Sequence, residues 1–383
     1  MEGTMKRLML MGKGGPWEMQ EVPIPKPGHG EFLVKVLATS VCNQTDLNAV
    51  RCKHPPHEMQ SHSMLPHHLR IWDKRLEGDE LAPYYNKGPI TLEPYPTTMG
   101  HEGMGVIVEM GPREYDESRA HEYLQVGDRV ALCCESTLGQ YVVASPEEVI
   151  KVPDNLTNEE ASLFEPWTVL WAPCQTAIKY GDVVCILGQG ALGSFATQWA
   201  RINGAKTIIT SEPIPYKREL SKKFGADIVL DPTTQDITAE IDKITNGIGC
   251  DVVFECAGEP ETIKLLPYIT RYDGTIVQIG ACCDPVYVDW GYIHFKGLLV
   301  HSSTSGYAAL QHARLDNPYH KCMADAAREK AAGRFNIQDM ITHHPKFTVE
   351  GVTELFREIE EEGTVLKAIF DPWDGEADKA KKE

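Results

Sequence analysis

Two patterns of apolar and polar positions divide the chain. Up to about residue 150, short apolar runs such as FLVKVLA (32–38), GVIVEMG (105–111), GDRVALC (127–133) and QYVVA (140–144) are bounded repeatedly by Gly and Pro. That punctuation predicts antiparallel or barrel-like sheets. From Asp182 the pattern changes to apolar runs alternating with amphipathic stretches of helix length. VVCILG (183–188) precedes ALGSFATQWARIN (191–203), KTIITSE (206–212) precedes YKRELSKKF (216–224), and ADIVLD (226–231) precedes TAEIDKITN (238–246). DVVFECAG (251–258) and ETIKLLPYIT (261–270) continue the alternation, followed by GTIVQIG (274–280) and KGLLVHSS (296–303). Strands apolar on both faces and separated by helices predict parallel βαβ units in a doubly wound α/β sheet. After about residue 305 the pattern loosens, then closes on a helix-like FTVEGVTELFREIEEE (347–362) and a strand-like TVLKAIFD (364–371), a segment able to return to the first domain. GEADKAKKE (375–383) reads as a solvated tail.

Residues 52–95 interrupt this economy. They carry His54, His57, His62, His67 and His68 among several prolines, with few periodic apolar positions. Such an excursion reads either as a solvated insertion or oligomer contact, or as a lid over a substrate pocket. A second metal site there is disfavoured, because no carboxylate or thiol spacing organises the histidines.

Composition narrows the function classes. A chain of 383 residues exceeds what one core usually serves, so two domains are expected, and 42% hydrophobic with 24% charged residues is a globular composition. No apolar run reaches the ~18 residues of a membrane-spanning helix. The opening MEGTMKRLMLMGKGGPWEMQ has no sustained apolar stretch, so a cytoplasmic address is expected. A formal net charge of −18 repels a phosphate backbone, which argues against nucleic acid as a partner. Eleven cysteines without a signal segment point to reduced thiols and metal ligands instead of a disulfide framework.

The first chemical motif is Gly188-Gln189-Gly190-Ala191-Leu192-Gly193, placed between the apolar run Val183–Leu187 and a helical stretch. In a dinucleotide fold Gly188 makes the tight turn, Gly190 admits a pyrophosphate and Gly193 lets helix and strand pack closely. Glu212 ends the next apolar run nineteen positions after Gly193, where an acid hydrogen-bonds ribose hydroxyls and repels a 2′-phosphate, favouring NAD over NADP. Glu212 could equally cap the helix that starts near Ile214, and Lys217 or Arg218 could favour a phosphate. Ala257, Gly258, Ile279 and Gly280 follow two further parallel runs and are expected to line the nicotinamide side of the crevice.

The second motif is scattered: Cys42 in SVCNQTD, His101-Glu102 in TTMGHEGMG and Glu165 in SLFEPWTVL. A thiolate, an imidazole and a carboxylate with one open position describe a catalytic zinc site. Together with GHEGMGVIVEMG (100–111), VGDRV (126–130), FEP (164–166), LGQGALG (187–193), FGAD (224–227), DVVFECAG and GTIVQIG, these residues make the chain resemble the zinc-containing medium-chain alcohol and polyol dehydrogenases, especially their sorbitol and threonine dehydrogenase branch. The resemblance implies a GroES-like catalytic domain of residues 1–165 and 305–383, with an insertion at 52–95, around a Rossmann domain of residues 166–304. It implies that Cys42, His101 and Glu165 approach zinc, with Glu102 a ligand or a close neighbour of one. It also implies a homo-oligomer, dimer or tetramer. Three features depart from the family pattern. Thr45 stands one residue later than the usual Cys-x-Ser/Thr-Asp. No four-cysteine lobe fits between Val130 and Gln140, so a single catalytic zinc and no structural zinc is expected. The excursion at 52–95 separates Cys42 from His101.

A Lewis acid beside a nicotinamide implies hydride transfer between NAD(H) and the secondary alcohol or ketone of a small polyol-, sugar- or cyclic-alcohol-like substrate. Asp46 is positioned to orient the His101 imidazole. Thr45 reads either as a proton carrier or as a turn-stabilising hydroxyl. The rival readings are a zinc-free NADPH-dependent quinone or enoyl reductase, a redox-neutral enzyme that retains NAD, and a non-catalytic dinucleotide-binding protein.

Overall fold

The computed structural model of the protein describes residues 2–51, 95–112, 124–282, 286–302 and 318–374. The first half runs β1 (Thr4–Leu10), β2 (Trp17–Pro23), β3 (Phe32–Ser40), α1 (Thr45–Arg51), β4 (Thr97–Thr98), β5 (Glu102–Met110), β6 (Arg129–Leu132), β7 (Tyr141–Ala144) and β8 (Val149–Lys151). Two helices, the short α2 (Asn158–Ser162) and the longer α3 (Phe164–Ala177), lead out of it. The alternating region then gives β9 (Val183–Leu187), α4 (Ala191–Ile202), β10 (Thr207–Ser211), α5 (Pro215–Lys223), β11 (Ile228–Leu230), α6 (Ile237–Thr245) and β12 (Cys250–Glu255). It continues through α7 (Pro260–Ile269), β13 (Thr270–Gln278), α8 (Trp290–Lys296) and β14 (Leu299–Ser302). The closing segment holds α9 (Pro318–Ala331), β15 (Ile341–His343), α10 (Val349–Glu361) and β16 (Lys367–Phe370).

The doubly wound sheet foreseen from the alternation is present as six parallel strands in the order β11-β10-β9-β12-β13-β14. The chain starts in the middle at β9, winds out through β10 and β11, then crosses back to β12, which leaves a crevice beyond the carboxyl ends of β9 and β12. Local chemistry sets the helix ends: Asp236 accepts from the Ala239 N–H at the start of α6, and Asn246 closes it with φ of 53°. Thr348 caps α10 in the same way through the Gly351 N–H.

The first half forms a mainly antiparallel sheet of seven strands, β15-β16-β3-β5-β6-β8 with β7 also paired to β3. Into it the closing segment inserts β16, pairing Ile369 with Ser40 and Phe370 with Thr39. β1 and β2 were not foreseen as strands. Lys6 and Arg7 interrupt TMKRLML, yet Met5, Leu8, Met9 and Leu10 are buried, and the strand is held by β2 on one edge and β4 on the other.

One hydrophobic cluster crosses from the antiparallel sheet into the parallel one. At its centre Trp167 of α3 meets Phe195 of α4 and Phe335 edge-on at centroid distances of 6.3 and 5.8 Å, and Trp199 lies 4.7 Å from Phe335. All four rings are buried, each a contribution of roughly 1.5–3 kcal/mol or more. No helix among the described residues is long and apolar enough to cross a membrane. The histidine-rich stretch from 52 to 94 lies outside the described residues.

Candidate active site

Ser40, the last residue of β3, is paired with Glu102, the first of β5. The turn carrying Cys42 and the residue His101 therefore arrive at the same end of one antiparallel pair. Cys42, His101 and Glu102 each offer one ligand atom, and these atoms lie within 4.8 Å of one another, the one such set among the described residues. Asp46, buried on α1, serves both of the first two: it accepts the Cys42 N–H at 2.8 Å, and its other oxygen lies 3.4 Å from His101 Nδ1. Burial alone would lower the His101 pKa, but the Asp46 carboxylate, with Cys42, holds it well above its ordinary value. Thr45 is exposed at the start of α1, and its N–H donates to Cys42 Sγ at 3.4 Å.

Glu102 is fully buried, and both its oxygens accept from Lys367 Nζ, at 2.5 and 2.6 Å. The same ammonium donates to the Val41 carbonyl at 3.1 Å, which occupies its three donors. Burial opposes the charge on Lys367, but Glu102 outweighs it and raises the ammonium above its usual range. Glu165, buried in the first turn of α3, is not a member of the 4.8 Å set. Burial pushes its carboxyl up to about 7; His101 opposes that rise and Glu102 adds to it, so Glu165 senses both groups electrostatically.

The glycine fingerprint occupies the β9–α4 turn. Gly188 has φ of 88°, and a Cβ on Gly193 would stand 1.8 Å from the Gly188 carbonyl oxygen, a distance only hydrogen tolerates. A Cβ on Gly190 would meet nothing within 4 Å, so the backbone there faces open space. Ala191 and Leu192 open α4 beside it. Glu212, buried just after β10, accepts the Gln189 N–H at 2.7 Å through one oxygen and the Ile214 N–H at 2.9 Å through the other. Its carboxylate thus tethers the fingerprint loop as well as the start of α5. Arg218 donates to the Glu212 and Pro213 carbonyls and pairs with Asp231 at 3.0 Å, while the half-buried Lys217 has its ammonium pKa lowered by burial, an effect Glu212 opposes. Ala257, Gly258, Ile279 and Gly280 form the facing loops after β12 and β13.

Polar contacts join the halves, among them Gln198 with Asn336 and Lys223 with Asp339. Gln44, in the Cys42 turn, donates to the Ala281 carbonyl at 3.2 Å, and the Tyr216 hydroxyl of α5 donates to the Thr364 carbonyl. Lys367 and Gln44 escaped the reading of the sequence. The signal for Lys367 was a lone cation inside the apolar VLKAIF; Gln44 carried none.

The comparisons with known proteins agree with this fold. The family model for the alcohol dehydrogenase GroES-like domain matches residues 76–154, and that for zinc-binding dehydrogenase matches residues 191–317. L-threonine 3-dehydrogenase of Pyrococcus horikoshii is 28% identical over 380 residues, covering 90% of this chain and 93% of that protein. The chain belongs to the zinc-containing medium-chain dehydrogenase family. Among solved structures, 2R,3R-butanediol dehydrogenase of Bacillus subtilis superposes with a TM-score of 0.73 at 22% identity, covering 96% of this chain and 99% of that one. A Sinorhizobium meliloti protein described as a zinc-binding dehydrogenase, and bound to NADP, gives 0.71 at 24% identity, covering 97% and 100%. As a member of this family the chain is an oxidoreductase acting on alcohols. Its GroES-like match contains His101 and Glu102, whereas Cys42, Glu165 and Lys367 lie outside both matched stretches.

Proposed function

We propose that this medium-chain dehydrogenase binds a single catalytic zinc and NAD, and interconverts a small secondary alcohol and its ketone. The carrying observation is the convergence of Cys42, His101 and Glu102 within 4.8 Å, with the Cys42 turn tied through Gln44 to the cofactor crevice. The donor types fit zinc: a thiol, an imidazole and carboxylates. Glu102 already has a full counter-charge in Lys367, whereas Glu165 is a buried carboxyl raised by desolvation. A dication is the partner such a group lacks. Cys42, His101 and Glu165 are therefore assigned as ligands, with Glu102 held beside them by Lys367. When bound, zinc supplies a Lewis acid toward the substrate oxygen, and NAD supplies the hydride acceptor.

The remaining work falls to the chain's own groups. Asp46 fixes the His101 ring through Nδ1, which leaves Nε2 free to ligate. Thr45, exposed beside Cys42, passes the hydroxyl proton toward solvent. Gly188, Gly190, Ala191, Leu192 and Gly193 receive the pyrophosphate. Glu212, buried at the crevice edge, sets a negative charge against a 2′-phosphate and so favours NAD, with Lys217 bordering the same end. Residues 1–165 with 305–383 form the catalytic domain, and residues 166–304 the dinucleotide domain. The homo-oligomer reading is supported by an apolar edge where β14 and α8 expose Leu299, Val300, Trp290 and Phe295.

The test is zinc content per chain measured together with nicotinamide absorbance on a panel of polyols, cyclic alcohols, L-threonine and 2R,3R-butanediol, the last two taken from the names of the relatives. One zinc per chain and faster reduction of NAD than of NADP are expected. A zinc-free chain that reduces neither would overturn the reading.

A further inference from the structure

The carboxylate of Glu255 has no place in the mechanism above, yet it is fully buried at the end of β12. A buried charge demands compensation, and among the described residues no ion pair reaches it. Hydrogen bonds take that place. Oε1 accepts from the Ala257 N–H at 3.0 Å, the Gly258 N–H at 2.9 Å and the Thr262 hydroxyl at 2.7 Å, and Oε2 accepts from Gln278 Nε2 at 2.6 Å. Gln278 in turn donates to the Gly280 carbonyl at 2.8 Å. One side chain thus holds two loops, 256–258 and 278–280, that are adjacent but lie on successive strands. They pack backbone to backbone: a Cβ on Gly280 would stand 2.2 Å from the Gly258 nitrogen and 2.7 Å from Glu255 Oε2.

These loops belong to the half-sheet β12–β14, opposite the half that carries the fingerprint, so they face the nicotinamide end of a dinucleotide laid across the switch point. Gln44 extends the same wall to the Cys42 turn through Ala281. We infer that Glu255 is a positioning residue for the cofactor's reactive end: it fixes the loop pair that sets the nicotinamide ring relative to the Cys42 turn. This rests on the cofactor reading above.

The test compares binding of NADH and of ADP-ribose, which lacks the nicotinamide, to the zinc-loaded full chain by titration calorimetry. Glu255→Ala and Gln278→Leu should weaken NADH by about tenfold or more, while ADP-ribose stays within about twofold. Glu255→Gln, which keeps one acceptor oxygen, should fall between wild type and Glu255→Ala. A role in folding alone would lower both affinities together, and that parallel loss overturns the inference, as does unchanged NADH binding. Should Glu255→Ala fail to fold, Glu255→Gln and Gln278→Leu carry the same comparison. A wild-type chain that binds neither ligand overturns the cofactor reading itself, and this inference with it.

Discussion

Glu102 and Glu255 are both carboxylates with no exposed surface, and the protein stabilises them in opposite ways. Glu102, in the metal-side cluster, is met by a full cation drawn from β16, 265 positions away. Glu255, in the cofactor crevice, is met by amide and hydroxyl dipoles, three of the four from within seven residues of it. The cation cancels net charge beside the site proposed to accept a metal, whereas the dipoles leave the charge in place and convert it into loop geometry. The first arrangement is fragile to loss of a single partner. The second distributes its dependence over several weak bonds.

Removing the cation is the severest way to break this contrast. Lys367→Met should destabilise the chain by about 3–5 kcal/mol, because it strands a buried charge, and the double variant with Glu102→Gln should recover most of that loss in urea unfolding. If Lys367→Met alone proved neutral, the ion pair would not be the partner that Glu102 requires.

A smaller effect is expected where a carboxylate orients a ligand. Asp46→Asn, which leaves the Cys42 N–H an acceptor but removes the charge facing His101 Nδ1, should weaken zinc affinity by about 10–100-fold. Competition with a chromophoric chelator measures it, and unaltered affinity would leave Asp46 a role only in the turn.

The smallest effect belongs to a buried carboxylate whose two partners are solvent-exposed arginines. Glu329 is held below the usual carboxylate range, first by the Arg334 guanidinium and then by Arg328, against the opposing effect of burial. The folded chain therefore binds fewer protons here than the unfolded one. The stabilisation is present above the unfolded pKa and is lost as pH falls through the folded value. Glu329→Gln should cost no more than about 1 kcal/mol at neutral pH, with the gap to wild type closing in acid. A gap that persisted or widened in acid would mean that packing, not charge, is what Glu329 provides.

The difference between the two regions also decides what could be read from residues alone. The fingerprint is legible because six consecutive residues carry backbone geometry: Gly188 takes a positive φ and Gly193 packs against the Gly188 carbonyl, while Gly190 faces open space. Cys42, His101 and Glu102 could be nominated by type, and the β3–β5 register joins them. Glu165 could be nominated too, but whether its oxygen enters the ligand set depends on where α3 lies, which no local pattern states. The Lys367 pairing was illegible for a related reason: nothing near Glu102 announces a partner that distant, and only the oddity of a lysine in an otherwise apolar strand hints at it. Glu212 was found by spacing, while its tether to the Gln189 and Ile214 amides emerges only from the turn between β9 and α4. The strand β1 was hidden by the charges in TMKRLML, because it is held by pairing with β2 and β4 and not by an unbroken apolar run.

β16 completes the first sheet by lying beside β3. During synthesis on a ribosome, Glu102 emerges 265 residues ahead of Lys367, with the whole dinucleotide unit translated in between. The nascent N-terminal sheet must wait, two strands short and with its carboxylate still hydrated, while the parallel sheet can already assemble. The proposed metal centre is thus among the last features the growing polypeptide completes, and a chain stalled before β16 would hold a finished crevice next to an unfinished centre.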